Sequence, residues 1–262
     1  MGGTGSLGRG RLKDLDPAAV TAVILTRDEE RNLPRALTSL PRGMQVFVLD
    51  ALSRDRTVAF ARAAGAEVVQ RRWTDFVEAR TYALACVRTP WVLMIDADEA
   101  LDDVLRDALL QAGDDADGYL LERTTYYCGR PLRQWSNEPL LRLFRRGRAT
   151  LEAHPAAGGR SLLHECWTAG GPVPTLAGTL LHFSYPDRAA YRAKYERYTA
   201  AEAAGLDPSA AHTARAVLKG LFARFPWLLF GKGAILDGPR GVYIAYKSAM
   251  YEAAAAWKAR RH

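Results

Sequence analysis

Between Val20 and Gly113 short apolar runs alternate with amphipathic stretches, and that rhythm limits the possible folds more than any other feature. "VTAVILT" (Val20 to Thr26), "QVFVLD" (Gln45 to Asp50), "AEVVQ" (Ala66 to Gln70) and "WVLMI" (Trp91 to Ile95) are short and bounded by polar breaks. Runs of this kind read as strands buried on both faces. Leu33 to Leu40, the stretch up to Gly65, Phe76 to Val87, and a face shared by Leu101, Leu105, Ala108 and Leu109 read as helices between and after them. Strands alternating with helices at this spacing predict a parallel, doubly wound α/β sheet.

In such sheets ligands gather beyond the carboxyl ends of the strands. Polar and acidic groups stand at those ends: "TRDEE" after the first strand, Asp50 closing the second, and Asp96 and Asp98 after the fourth. Side chains on an extended chain alternate, so Asp96 and Asp98 are expected to share one side while Ala97 points away. Two like charges facing one space are relieved by a shared cation, and hard oxygen ligands suit magnesium, manganese or calcium rather than zinc. Magnesium commonly takes one or two carboxylates plus a substrate's phosphates. A lone D-x-D is weak evidence, but several such loops on one sheet edge converge on one crevice.

Beyond Gly118 the rhythm changes. "GYLLERTTYYCGR", "LLRLFRRG" and "TLLHFSY" read as strands, and the remainder as helices, one capped by Asp187 and running to Gly205, another from Gly238 to His262. The expected division is a leader over 1–18, an α/β half over 19–117, a second, strand-rich half over 118–186 and a helical region over 187–262. Charge divides in the same way: residues 1–117 carry −4 and residues 118–262 carry +11. A solvated face would account for a few lysines. An excess this concentrated favours an anionic acceptor, a phospholipid surface or nucleic acid.

Cys86, Cys128 and Cys166 are odd in number and lack C-x-x-C spacing, which predicts reduced thiols in a cytoplasm. "MGGTGSLGRGRLKDLD" has no apolar core of a secretory signal. "VLKGLFARFPWLLFGKGAIL" (Val217 to Leu236) is broken by Lys219, Arg224, Pro226 and Lys232, so it does not span a bilayer. It suits either a bilayer surface or, more commonly, a buried helix pair.

In order and spacing, "VILTRDEERNLPRAL", "VLDALSRDRT", "WTDFVEARTYAL", "WVLMIDADE", "LLRLFRRG", "LHE" and "ILDGPRG" resemble glycosyltransferase family 2, over about residues 20–256. Within it they look like the branch of lipopolysaccharide-core β-glucosyltransferases. The resemblance implies a GT-A fold and an inverting hexosyl transfer from a nucleotide sugar, UDP-linked in the usual case, to a hydroxyl of a glycan, glycolipid or small-molecule acceptor. It implies a divalent metal, Mn2+ or Mg2+. The cysteines and the basic second half predict a cytoplasmic enzyme with peripheral contact at the inner membrane face, and no nucleic-acid partner is expected. By the same resemblance Thr26, Arg27 and Glu29 line the nucleotide pocket, Asp50 meets the base, Arg80 approaches the diphosphate, Asp96 faces the ribose or a metal water, and Asp98 binds the metal. His182 is a candidate second ligand. Glu165 is the expected general base with His164 orienting it, and Tyr127, Trp135, Arg142 and Arg145 are expected acceptor contacts.

Blander explanations compete for several of these. Thr26 and Glu29 also fit a capping-box spacing, Arg80 a solvated helix face, and His182 a core histidine. Phe144 reads as core, and Trp135 suits core as well as acceptor. The chain departs from the family's "DSGSTDRT" at Ala51, Leu52 and Arg54, and Leu52 in place of a glycine predicts a rebuilt or shifted loop. Thr81 stands where relatives often have asparagine. A sugar-phosphate nucleotidyltransferase would share the metal and the nucleotide, but it needs a glycine-rich first loop where this chain has "TRDEERN". A non-enzymatic membrane or nucleic-acid binder leaves Asp50, Asp96 and Asp98 unexplained, and a tailoring enzyme for a soluble natural product is the remaining alternative.

Overall fold

The computed structural model describes residues 14–73, 75–113, 115–156, 159–206 and 210–261, and within these the side chains of 153–156, 159–165, 210 and 211 fall outside the description. Most of the expected leader therefore lies outside the described residues.

The first half follows the predicted alternation: β1 (Val20–Thr26), α1 (Leu33–Ser39), β2 (Gln45–Asp50), α2 (Thr57–Ala63), β3 (Glu67–Gln70), α3 (Phe76–Cys86) and β4 (Trp91–Asp96). β1 pairs in parallel with β2 and β4, and β2 with β3. Alternation along each strand sorts the apolar side chains onto two faces. Val20, Ala22 and Ile24 of β1, with Trp91, Leu93 and Ile95 of β4, pack with Leu33 and Ala61 of α1 and α2. Val23, Leu25, Val92 and Met94 face the other way, onto Ala79 and Ala83 of α3. Two covered faces are why these strands read as nearly continuous apolar runs.

After β4 the chain departs from the expected pattern. Glu99–Leu101 is a short strand, β5, so Leu101 lies on a strand rather than on the predicted helix face; α4 (Asp103–Leu110) begins only at the Asp102 cap, whose carboxylate accepts from Leu105 N at 2.7 Å. β6 (Gly118–Tyr127), β7 (Arg130–Pro131), β8 (Glu138–Arg145), the hairpin of β9 (Ala149–Ala156) and β10 (Gly159–Ala169), and β11 (Leu180–Tyr185) follow. β8 pairs antiparallel with β4 and so extends the parallel half into a mixed sheet of order β3-β2-β1-β4-β8-β6-β11-β5. Phe144 is core, as expected, stacked on Trp167 of β10 with 4.7 Å between centroids.

The C-terminal region holds α5 (Arg188–Ala203), α6 (Ala210–Lys219), α7 (Gly238–Ala249) and α8 (Tyr251–Ala259). Asp187 caps α5 as predicted, accepting from Ala190 N at 2.8 Å, a contact worth about 1 kcal/mol. The single helix expected from Gly238 onward is two helices divided at Met250. Among the described residues no helix is long and apolar enough to cross a membrane.

Candidate active site

The site lies at the carboxyl ends of β1, β2 and β4, where the sequence predicted convergence. Asp50 is fully buried, and its carboxylate accepts from Thr26 Oγ1 at 3.0 Å, Ser53 N at 2.9 Å and Gln70 Nε2 at 3.1 Å, with Ser53 Oγ in closer contact. The loop after β1 is zippered to the loop after β2. Asp28 N donates to Ser53 Oγ at 2.8 Å and Asp28 Oδ1 accepts from Arg54 N at 2.8 Å; Glu29 N donates to Thr57 Oγ1 at 2.8 Å, and Glu30 N donates to Asp55 Oδ2 at 3.0 Å. The acids and hydroxyls of "RDEE" and "SRDRT" therefore cap each other's backbones. Thr26 sits inside β1 and α1 is capped at Asn32 without a side-chain bond, so the capping-box explanation of Thr26 and Glu29 does not hold. Arg27 is exposed at the rim.

Leu52 corrects a prediction. It adopts φ +60°, the left-handed conformation that a glycine would take without strain, so the turn is kept and the leucine bears the cost, about 1–2 kcal/mol. The zipper on either side holds it there.

Asp96 and Asp98 have separate surroundings. Asp96 is held by Arg80 Nη2 at 3.0 Å on one oxygen and Arg142 Nη2 at 3.1 Å on the other. Arg142 also meets the buried Glu99 at 3.1 Å, Glu99 meets Arg123 at 3.3 Å, and Glu99 Oε2 accepts from Asp96 N at 2.9 Å. Burial alone would raise the Asp96 pKa, but Arg142 and Arg80 outweigh it and hold the carboxyl well below the usual range. Burial would likewise pull the Arg142 guanidinium down, and Glu99 and Asp96 reverse that. The charge that Asp96 was expected to share with a cation is already balanced by arginines.

Asp98 faces His182 instead, with Oδ2 3.3 Å from Nε2. His182 Nδ1 lies 3.0 Å from Thr125 Oγ1, and the Asp98 carbonyl accepts from Phe183 N at 2.8 Å. Burial pushes Asp98 upward, and the hydrogen bond and charge of His182 more than offset it, so its carboxyl stays ionised below the ordinary range. Glu29 is raised, first by burial and then by the nearby Asp98 charge, against an opposing hydrogen bond from Asn32. Lys194 of α5 contributes positive charge to both Asp98 and Glu29, and its Nζ donates to Ser184 Oγ at 2.6 Å. The sequence reading missed Lys194, since a lysine inside a long polar helix carries no signal of its own. It also missed Glu99, although an acid directly after the D-x-D pair was there to be noticed.

The expected acceptor residues separate. Trp135 stacks beside Tyr185 at 5.6 Å and, with Tyr198 and Lys194, lines a cavity of about 150 Å³. Tyr127 is core to the same aromatic cluster, edge-on to Tyr191 at 5.7 Å, with its hydroxyl pKa pushed up to about 12 by burial and by Cys128. Arg142 is buried in the ion network, where it positions Asp96 and presents nothing to an acceptor. Arg80 is buried there too, which removes the solvated-face explanation. Arg145 pairs with Trp91 at the amino end of β4, the opposite sheet edge, where it donates to the Ala116 carbonyl at 3.1 Å. It is therefore remote from Asp98, a correction that follows from the antiparallel register of β8. His164 and Glu165 lie on β10, and their side chains are outside the described residues.

Residues 21–166 match the family described as Glycosyl transferase family 2, over more than half of the chain. The chain belongs to that family. Among the family 2 chain's relatives is the lipopolysaccharide core biosynthesis glycosyltransferase LpsC of Rhizobium meliloti, 30% identical over 178 residues, 63% of each protein. An uncharacterized glycosyltransferase of Rickettsia bellii is 33% identical over 112 residues, 42% of this chain, and the match spans only 38% of that relative's length. The fold resembles that of the mannosyltransferase PcManGT from Pyrobaculum calidifontis, solved with GDP-Man and Mn2+, with a TM-score of 0.51 at 17% identity over 96% of this chain and 90% of that one. The GT-A-like α/β architecture expected from sequence is thus present.

Proposed function

We propose that this family 2 chain is an inverting, metal-dependent hexosyltransferase that uses a nucleotide sugar, UDP-linked in the first instance, and an acceptor hydroxyl on a glycan or glycolipid. The observation that carries the reading is the Asp98–His182 pair, partly open and set at the carboxyl edge of the parallel strands beside the joined β1 and β2 loops. A carboxylate and an imidazole at one spot, the imidazole oriented from behind by Thr125, suit a hard or borderline divalent cation. Among the described residues no group of three acidic, histidine or cysteine side chains is placed to hold a metal ion, so the remaining ligands would be diphosphate oxygens and water. When bound, the metal would act as a Lewis acid on the departing diphosphate.

The chain's own residues supply the rest. Asp50, held by Thr26, Ser53 and Gln70, fixes the floor under the nucleotide. Asp96, buttressed by Arg80 and Arg142, lies at the end of β4, two residues before Asp98 in the following turn, and addresses the ribose side. Lys194 adds positive charge near the diphosphate, and Trp135 with Tyr198 offers aromatic faces on which acceptor sugars stack. Glu165 is assigned as general base on the family's His-Glu step alone, to take the acceptor hydroxyl proton as that oxygen attacks the anomeric carbon and the C1–O bond to the nucleoside diphosphate breaks.

Release of nucleoside diphosphate from a panel of nucleotide sugars, with Mn2+ and with a chelator, tests this reading. Turnover is expected only with metal, and Glu165→Gln is expected to keep donor affinity while transfer falls by about 100-fold or more. Metal-independent turnover would refute the assignment of the pair, and normal transfer by Glu165→Gln would move the base elsewhere.

A further inference from the structure

The stretch from Val217 to Leu236, for which the sequence leaves a bilayer surface or a buried helix pair, is buried only on its inner side. Among the described residues thirteen large hydrophobic side chains are exposed, and nine of them fall between Leu218 and Tyr246. Phe222 is 78% exposed, Phe230 68% and Trp227 54%, with Leu218 and Leu236 beside them. A concentration of this kind on a soluble surface marks an interaction site.

The backbone here is also unusual. Gly220–Arg224 and Trp227–Gly231 are π-helical, with Phe225 N bonded to Gly220 O and Lys232 N to Trp227 O. Pro226 lies between them and has no N–H to continue the α ladder, which accounts for the wider turns. The inner side of this segment is anchored: Leu228 is buried, Phe225 meets Tyr246 of α7 edge-on at 5.9 Å, and a Cβ at Gly220 would come 2.7 Å from the Ala249 carbonyl oxygen. The exposed side chains are therefore the outer face of a supported wedge, not a loosened core.

Between residues 215 and 240 the charged residues are Arg215, Lys219, Arg224, Lys232 and Arg240 against the single acid Asp237. Lys232 lies over the Trp227 ring at 5.4 Å, and Arg224 is exposed. Protruding phenylalanines and a tryptophan flanked by long cations match the two layers of a bilayer boundary, acyl chains below and anionic headgroups above. A second copy of this chain seated by twofold symmetry would bring these cations against their own copies. We propose that this wedge docks the protein peripherally on an anionic phospholipid surface, with Phe222, Trp227 and Phe230 entering the interface and Arg224 and Lys232 meeting headgroup phosphates.

The docking does not depend on the donor chemistry proposed above, and it has a consequence for the site. Tyr243 of α7 packs on Tyr191 at 6.0 Å, and Tyr191 packs on Tyr185, three residues beyond His182, so a docked wedge would hold the aromatic cleft near the membrane plane.

Flotation of the full chain with vesicles of phosphatidylcholine, or of phosphatidylcholine mixed with phosphatidylglycerol, tests the proposal. Wild-type protein is expected to float with the anionic vesicles and much less with the neutral ones. Phe222→Asp with Phe230→Asp should lower the partition at least about tenfold, and Arg224→Glu with Lys232→Glu should remove the preference for phosphatidylglycerol. Circular dichroism and Mn2+-dependent UDP binding are followed in every variant. Their retention shows that the loss is of docking, and the absence of UDP binding from all forms, with flotation intact, would count against the donor reading instead. Failure of wild type to float, equal flotation with both vesicles, or a concentration-dependent dimer that the aspartates dissociate would each overturn the proposal.

Discussion

The crevice at the carboxyl edge of β1, β2 and β4 and the wedge around Pro226 handle unfavourable groups in opposite ways. In the crevice, charge is taken inside and balanced there: Arg80, Asp96, Arg142, Glu99 and Arg123 form one chain of ion pairs, and the loop acids bond to neighbouring backbone. In the wedge, apolar surface is turned outward with only its inner side secured. Internal balance gives a floor of paired groups on which the proposed nucleotide would be positioned without rearrangement. Outward apolar surface stabilises little within the chain, and the proposed bilayer contact would cover it from outside.

The largest expected effect breaks the internal balance. Arg142→Met leaves the buried Glu99 and one oxygen of Asp96 without that guanidinium, and stability to urea is expected to fall by about 3–5 kcal/mol. An effect confined to the acceptor KM, with an unchanged urea midpoint, would instead make Arg142 an acceptor contact.

Adjacent residues sharpen the contrast in the wedge. Leu228→Ala, at a site only 6% exposed, is expected to cost about 2–4 kcal/mol. Trp227→Ser, at 54% exposure, should change stability by less than about 0.5 kcal/mol. Similar urea midpoints for the two variants would mean that the wedge is not divided into a secured and a free face.

The smallest effect concerns the strained turn. Leu52→Gly should raise stability by up to about 1 kcal/mol, the relief of the left-handed conformation less glycine's extra chain entropy. Leu52→Ala keeps the Cβ and should give no such gain, so equal gains from both substitutions would locate the cost elsewhere.

How far each region could be read from sequence follows the same physics. β1, β2 and β4 were legible because burial on both faces leaves an uninterrupted apolar run, and Asp187 because a cap precedes its helix directly. β5 was not: three residues that pair with β11 some eighty positions later look like the start of α4. The pairing of Asp98 with His182 was reached only through a family resemblance, whereas the arginine clamp on Asp96 depends on Arg142 arriving from β8 in antiparallel register. The same register carries Arg145 to the far edge, so two arginines three positions apart part company in a way that spacing alone does not reveal. The wedge stayed between two readings because periodicity shows that a helix is apolar on one side without showing whether anything covers that side.

The central claim is that Asp98 and His182 hold the cation through which a nucleoside diphosphate is bound. Calorimetric titration of UDP into wild-type protein and into Asp98→Asn, each with Mn2+ and with a chelator, tests it most directly. Wild type is expected to bind UDP at least about 100-fold more tightly with Mn2+ than without, and Asp98→Asn to lose nearly all of that difference while remaining folded. UDP binding that is equally tight with and without the metal, or a full Mn2+ effect surviving in Asp98→Asn, would contradict the account.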